Sequence, residues 1–173
     1  MELLEALLRN DEQDMFGGID MTIIQETIIQ ADVQLLWRAW TESARITEWF
    51  APAAEIEPKA GGKFELYFNP ANRESMCTAG CTILQYDEPH TLVFEWKGPD
   101  PFAETMNQGE LTEVKVSFRP EQDGGTRITL EHTGWKDTEA SLQAREWHVD
   151  AWKGMLASLK SSIESGEGIL CCQ

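Results

Sequence analysis

The sequence predicts an α+β domain in which a seven-stranded antiparallel sheet wraps around one long C-terminal helix. Three observations carry this expectation. Short segments of alternating polar and apolar residues recur along the chain, with Gly- and Pro-containing breaks between them, which is the pattern of a meander. From about Thr138 the period changes: Val149, Trp152, Leu156, Leu159 and Ile163 fall three and four apart and form one apolar stripe about four turns long. Two short helical segments follow the first strand, and strands and helices are otherwise segregated, as in an α+β layer architecture.

In order along the chain, Ile23, Gln25, Thr27 and Ile29 alternate with Ile24, Glu26, Ile28 and Gln30 in a β-branched strand that stops at Ala31 and Asp32. Asp32 is suited to cap a helix, and that helix carries Val33, Leu36, Trp37 and Trp40 on one side. A break over residues 41–43 precedes a second short helix over 44–50, which Pro52 ends. Strands are then predicted over residues 53–57, 63–69, 76–86, 91–97, 111–119 and 125–132. In the last of these Ile128, Leu130 and His132 share a face. The connection over 98–110 exceeds ordinary hairpin length. We expect a plain loop that leaves its apolar residues Phe102 and Met106 mobile, with a lid as the alternative.

Length and composition fit a single core. A chain of 173 residues, 42% of them hydrophobic, buries roughly two thirds of its unfolded surface as one domain. Residues 22–165 form that domain. Residues 1–21, with Leu3, Leu4, Leu7 and Leu8 spaced for a short helix, read as an N-terminal extension, and 166–173 as a C-terminal tail. No apolar run is long enough to span a membrane and no basic region precedes a hydrophobic stretch at the N-terminus, so a cytoplasmic location is expected. The net charge of -16, from 30 acidic against 14 basic residues, excludes nucleic acid and anionic membrane surfaces as natural partners, because both require clustered Lys and Arg.

Cys77, Cys81, Cys171 and Cys172 lack zinc-site spacing. In a regular strand Cys77 and Cys81 stand about 13 Å apart, too far for a disulfide, so buried free thiols are expected. Neither a metal nor a cofactor is called for. The three histidines and the carboxylates form no Ser-His-Asp order and no H-E-x-x-H box, which leaves no catalytic signature. The polar candidates for a concave site are His132, then Glu146, His148 and Asp150 on the closing helix. Aromatic rings are the larger signal: Phe64 and Phe68 share one strand face, Phe94 and Trp96 another, and Trp49, Phe50, Trp147 and Trp152 arrive from helices. These rings suit a ligand-binding wall and a close-packed core equally.

Five blocks in order, ADVQLLWRAWTESARITEWFAP, KAGGKFELYF, GCTILQYDEPHTLVFEW, GGTRITLEHTGW and the Trp-bearing final helix, resemble the Hsp-90 ATPase activator homologue-like family. That family belongs to the START-like, Bet v 1-like helix-grip superfamily. The resemblance implies a sheet gripping the C-terminal helix with a cavity between them. In such a cavity the residues read above suit a small apolar, aromatic or lipid-like ligand, expected to be held by Trp49, Phe50, Phe64, Phe68, Phe94, Trp96, His132, Trp147, Ala151 and Trp152. The family's usual Gly-Trp pair on the final helix is here Ala151-Trp152, and the extra methyl bears on cavity shape. A chaperone-binding module of the activator type is the alternative the family name implies. A cyclase- or hydrolase-like enzyme is a third.

Overall fold

Alternating β-branched residues make β1 (Ile23–Ile29), and the register Ile23↔His132 through Ile29↔Thr126 sets it antiparallel to β7 (Thr126–Thr133). The computed structural model describes residues 21–166. The expected helix around Leu3 to Leu8 and the tail cysteines Cys171 and Cys172 lie outside the described residues.

Beyond β1 the chain builds α1 (Val33–Thr41), whose first turn is capped by the Asp32 carboxylate accepting from the Gln34 N–H at 2.9 Å. The second helix is shorter than expected: α2 spans Ser43–Ile46 only, and residues 47–50 continue as a turn in which the Phe50 N–H still reaches Ile46 O. Pro52 is close enough to prevent a longer helix. Strands β2 (Ala53–Ile56) and β3 (Phe64–Tyr67) pair as a two-stranded sheet. The five-stranded sheet has the order β1-β7-β6-β5-β4, with β4 (Ile83–Asp87), β5 (Thr91–Trp96) and β6 (Thr112–Pro120).

Among the described residues seven strands are present, divided five and two. The expected strand over 76–86 keeps only its second half. Met76 and Gly80 adopt positive φ (51° and 89°), and the Thr78 hydroxyl accepts the Leu66 N–H while donating to Phe64 O. A side chain therefore takes ladder bonds that a regular strand backbone would make. The isolated bridges Lys63↔Thr82 and Tyr67↔Cys77, with backbone bonds such as Ile83 N–H to Gly62 O and Phe64 N–H to Cys81 O, join the two sheets.

The long helix α4 (Glu139–Ser165) starts at a Thr138 cap and ends at Gly166, whose φ of 78° closes the last turn. At 27 residues it runs about 40 Å, and its buried face includes Ala144, His148, Trp152, Met155, Leu156 and Leu159. The free edge of β1 is covered by this helix: Lys160 donates to Ile28 O, Arg145 donates to Met21 O, and Glu164 accepts the Gln30 N–H. Covering an edge strand in this way removes a template for sheet extension. Trp37, Trp40, Trp49 and Trp152 are all fully buried between helices and sheet, and each such side chain contributes roughly 2 to 3 kcal/mol by burial.

Candidate functional site

Period-two alternation in β5 points Leu92, Phe94 and Trp96 inward, and in β7 it does the same for Ile128, Leu130 and His132. At the end of this concave face, where β5 runs out at Trp96 and α4 crosses, the walls separate slightly. The resulting cleft is lined by Phe50 from the turn after α2, Phe68 just past β3, Trp96, and Trp147, His148, Ala151, Trp152 and Met155 of α4. Met76, Cys77 and residues 97–99 complete its rim. Phe50 sits at the centre of the aromatic wall, with ring centroids 5.9 Å from Phe68, 5.9 Å from Trp96 and 5.7 Å from Trp152. The free volume inside is about 30 Å³, room for about two waters.

Behind this wall lies a buried polar cluster. The Trp152 indole N–H donates to His132 Nδ1 at 2.9 Å, so His132 keeps its proton on Nε2 and directs it to Thr112 Oγ1, also 2.9 Å away. His148 has the opposite tautomer: Nδ1–H donates to Ala144 O at 2.7 Å and bare Nε2 accepts the Trp96 indole N–H at 3.1 Å. These proton positions follow from the partners' chemistry. Trp135, turned back by Gly134 at φ 98°, donates to His132 O and lies 4.5 Å from the His132 ring. Burial holds the His132 imidazole well below its ordinary range, with His148 adding to the effect. Burial also pushes His148 down to about 4, against the Ala144 bond that raises it. Both rings are therefore neutral near pH 7, 5.3 Å apart.

The connection after β5 is ordered and docked, contrary to the plain loop expected. It contains a 3-10 turn (Asp100–Phe102) and the short α3 (Ala103–Met106). Asn107 joins its two ends, its Oδ1 accepting from the Gly98 N–H and its Nδ2 donating to Gly98 O. Met106 fills the space beside Gly98, where a Cβ would collide with its sulfur. Phe102 packs on Trp147 and His148. Asp100 ties the segment to the opposite rim by accepting from the Met76 N–H and the Ser75 hydroxyl, and these two bonds hold its carboxyl below the ordinary value.

Of the residues singled out in the sequence, Phe50, Phe68, Trp96, Trp147, Ala151 and Trp152 meet at the cleft. Trp49, Phe64 and Phe94 lie in the core: Phe64 stacks on Phe94 at 3.9 Å, and Trp49 packs on Trp40 and donates to Ala39 O. His132 is behind the wall, bonded to it through the Trp152 indole. Glu146 and Asp150 face solvent. His148 faces inward, one turn before Trp152, because the buried stripe on α4 is wider than the apolar residues alone indicate. Met76, Met155, Thr112 and Trp135 had no signal of their own, although the Gly134-Trp135 pair stood in one of the matching blocks. The thiols of Cys77 and Cys81 are free, and burial pushes Cys81 up to about 12. Among the described residues no group of three His, Cys, Asp or Glu is placed to hold a metal ion, and no helix is long and apolar enough to cross a membrane.

An antiparallel sheet closed on a C-terminal helix, with a cleft where the two part, defines a protein of the helix-grip class. The family model described as Activator of Hsp90 ATPase homolog 1-like protein matches residues 30–164, and the chain belongs to that family. Solved structures share the fold. The Aha1 dimer from Colwellia psychrerythraea superposes with a TM-score of 0.66 at 17% identity, covering 85% of this chain and 98% of that one. An HSP90 activator from Plasmodium falciparum gives 0.62 at 20% identity over 84% and 96%. CalU16 from Micromonospora echinospora gives 0.60 at 24% identity over 83% and 74%. No curated protein matches the chain at a significant level.

Proposed function

We propose that this protein binds a small apolar or aromatic molecule between the sheet and α4, with the 98–107 segment as its lid. The observation that carries this reading is the cleft itself: aromatic and thioether side chains line it, it opens beside the partly exposed Trp147, and its cover is attached by a few identifiable contacts. Internal space too small for a ring means that occupancy requires the lid to lift and Trp147 to swing, so binding is coupled to a local opening. The test is an NMR titration with a pooled library of apolar aromatic compounds. Saturable shifts of the Trp96, Trp147 and Trp152 indole resonances are expected. A well-dispersed spectrum that no compound perturbs would mean that the rings are core and nothing more.

A second reading is favoured by family membership and by the fold shared with an HSP90 activator: a chaperone-binding module. Saturable binding to purified Hsp90 together with faster ATP turnover would support it, and its absence at micromolar concentrations of both proteins would remove it.

A further inference from the structure

The polar groups at the back of the cleft are all turned on one another. Trp96 and Trp152 present their faces to the free space while their N–H groups point away, to His148 Nε2 and His132 Nδ1. The remaining ring nitrogens are engaged by Ala144 O and Thr112 Oγ1. At the rim, Lys97 Nζ reaches to Ala79 O at 2.6 Å, and the Gly98 N–H and C=O are both held by Asn107. Only the Cys77 thiol, a weak donor, the half-exposed indole of Trp147 at the mouth and the remaining Lys97 Nζ hydrogens at the rim have no protein partner among these bonds.

We infer that the cleft recognises its ligand by shape and apolar contact alone, and that it takes an uncharged ring without hydrogen-bonding substituents at the end that enters. The inference rests on the ligand-binding reading above and narrows its ligand class. A hydroxyl or carboxylate carried inward past the Lys97 rim would lose its water and meet no free strong donor or acceptor, which disfavours it by roughly tenfold or more for a neutral group and far more for a charged one. Trp96 acts here as a specificity-determining residue, because its indole occupies His148 Nε2, an acceptor on a residue that lines the cleft.

The probes are three para-disubstituted benzenes, in which either end that enters carries the same group: p-xylene, benzene-1,4-dimethanol and terephthalate. Affinities are read by NMR near neutral pH for the wild type and for Trp96→Phe, which keeps a ring but leaves His148 Nε2 without its donor. In the wild type p-xylene is expected to bind, the diol at least about tenfold more weakly, and terephthalate not measurably. In Trp96→Phe the affinity of the diol relative to p-xylene is expected to rise about fivefold or more, as its hydroxyl takes up the vacant acceptor. Wild-type binding of the diol or terephthalate as tight as that of p-xylene would overturn the inference and leave the ligand-binding reading intact. An unchanged diol-to-xylene ratio in the folded variant would also overturn it. Should the variant fail to fold, the wild-type order of the three probes still decides. Failure of all three to bind would remove both readings together.

Discussion

His132 and His148 each keep one nitrogen bare to accept an indole N–H, and protonation would convert that acceptor into a donor facing a donor. Their folded-state values lie below the ordinary 6.5, so the unfolded chain binds more protons as pH falls. Stability is therefore complete above about 6.5 and is lost as pH drops through that value; for His148 the loss continues down to about 4. The slope is about 1.4 kcal/mol per pH unit for each imidazole. Urea unfolding is expected to give about 2 kcal/mol less stability per histidine at about pH 5 than at about pH 6.5. His132→Asn, whose amide oxygen can replace Nδ1 as acceptor for Trp152, should lower overall stability while removing roughly half of that dependence. An unchanged slope in the variant would assign the acid sensitivity to other groups. Trp96 and Trp147 differ as probes for the same reason of burial. Trp96 is 5% exposed and hydrogen bonded, so Trp96→Ala costs about 3 to 5 kcal/mol and reports mainly on folding. Trp147 is 40% exposed with one side on Phe102. Trp147→Ala should cost about 1 kcal/mol of stability yet weaken ligand binding about tenfold, and unchanged affinity in the folded variant would remove the ring from the site.

Within α4, Gly154 lies on the exposed side with open space where a Cβ would stand. Gly154→Ala should stabilise the protein by about 0.8 to 1 kcal/mol through helix propensity alone, measurable as a higher denaturant midpoint at unchanged m-value. The lid provides a second element-scale expectation. Asp100 holds it to the opposite rim through Met76 and Ser75, and Asp100→Ala should speed hydrogen exchange at Met76 and across Asp100–Met106 at least about tenfold. Protection in β5, β6 and β7 should be unchanged, and slow exchange across the lid would show that Phe102 and Met106 dock it without the carboxylate. Both of these residues stood out in the sequence as apolar points in a polar stretch, but a local pattern does not reveal that Phe102 meets Trp147 and His148, far along the chain, or that Met106 folds back on Gly98. Elements with uninterrupted periodicity, such as β5, β7 and α4, were legible almost to the residue. Residues 76–82 were not, because their alternation suits a strand while Thr78 takes the ladder bonds with its side chain.

At the scale of the whole molecule, the sheet, the helix and their mutual burial could be read from period and order, but the cleft could not. Whether Trp96 and Phe94, two residues apart on one face, line a space or fill a core is decided by how α4 crosses the sheet, and here Trp96 meets the gap while Phe94 stacks on Phe64. The charge, by contrast, is a property of the whole chain and carries its own consequence. With a net -16, folding gathers like charges, while ion pairs such as Arg45–Glu42 and Arg73–Glu55 are exposed and stabilise little. Salt should therefore stabilise: going from about 0.02 to about 0.5 M NaCl shortens the screening length from about 20 Å to about 4 Å, and a melting temperature higher by a few degrees is expected. The same increment should persist between about pH 6.5 and 5, where ordinary carboxylates remain ionised while the two buried histidines titrate. Curves of stability against pH at the two salt concentrations should run parallel, because the histidine term arises inside the core, beyond the reach of screening. Curves that converge at acid pH would place the acid sensitivity on the charged surface, and a melting temperature lowered by salt would show that the surface ion pairs outweigh the net repulsion.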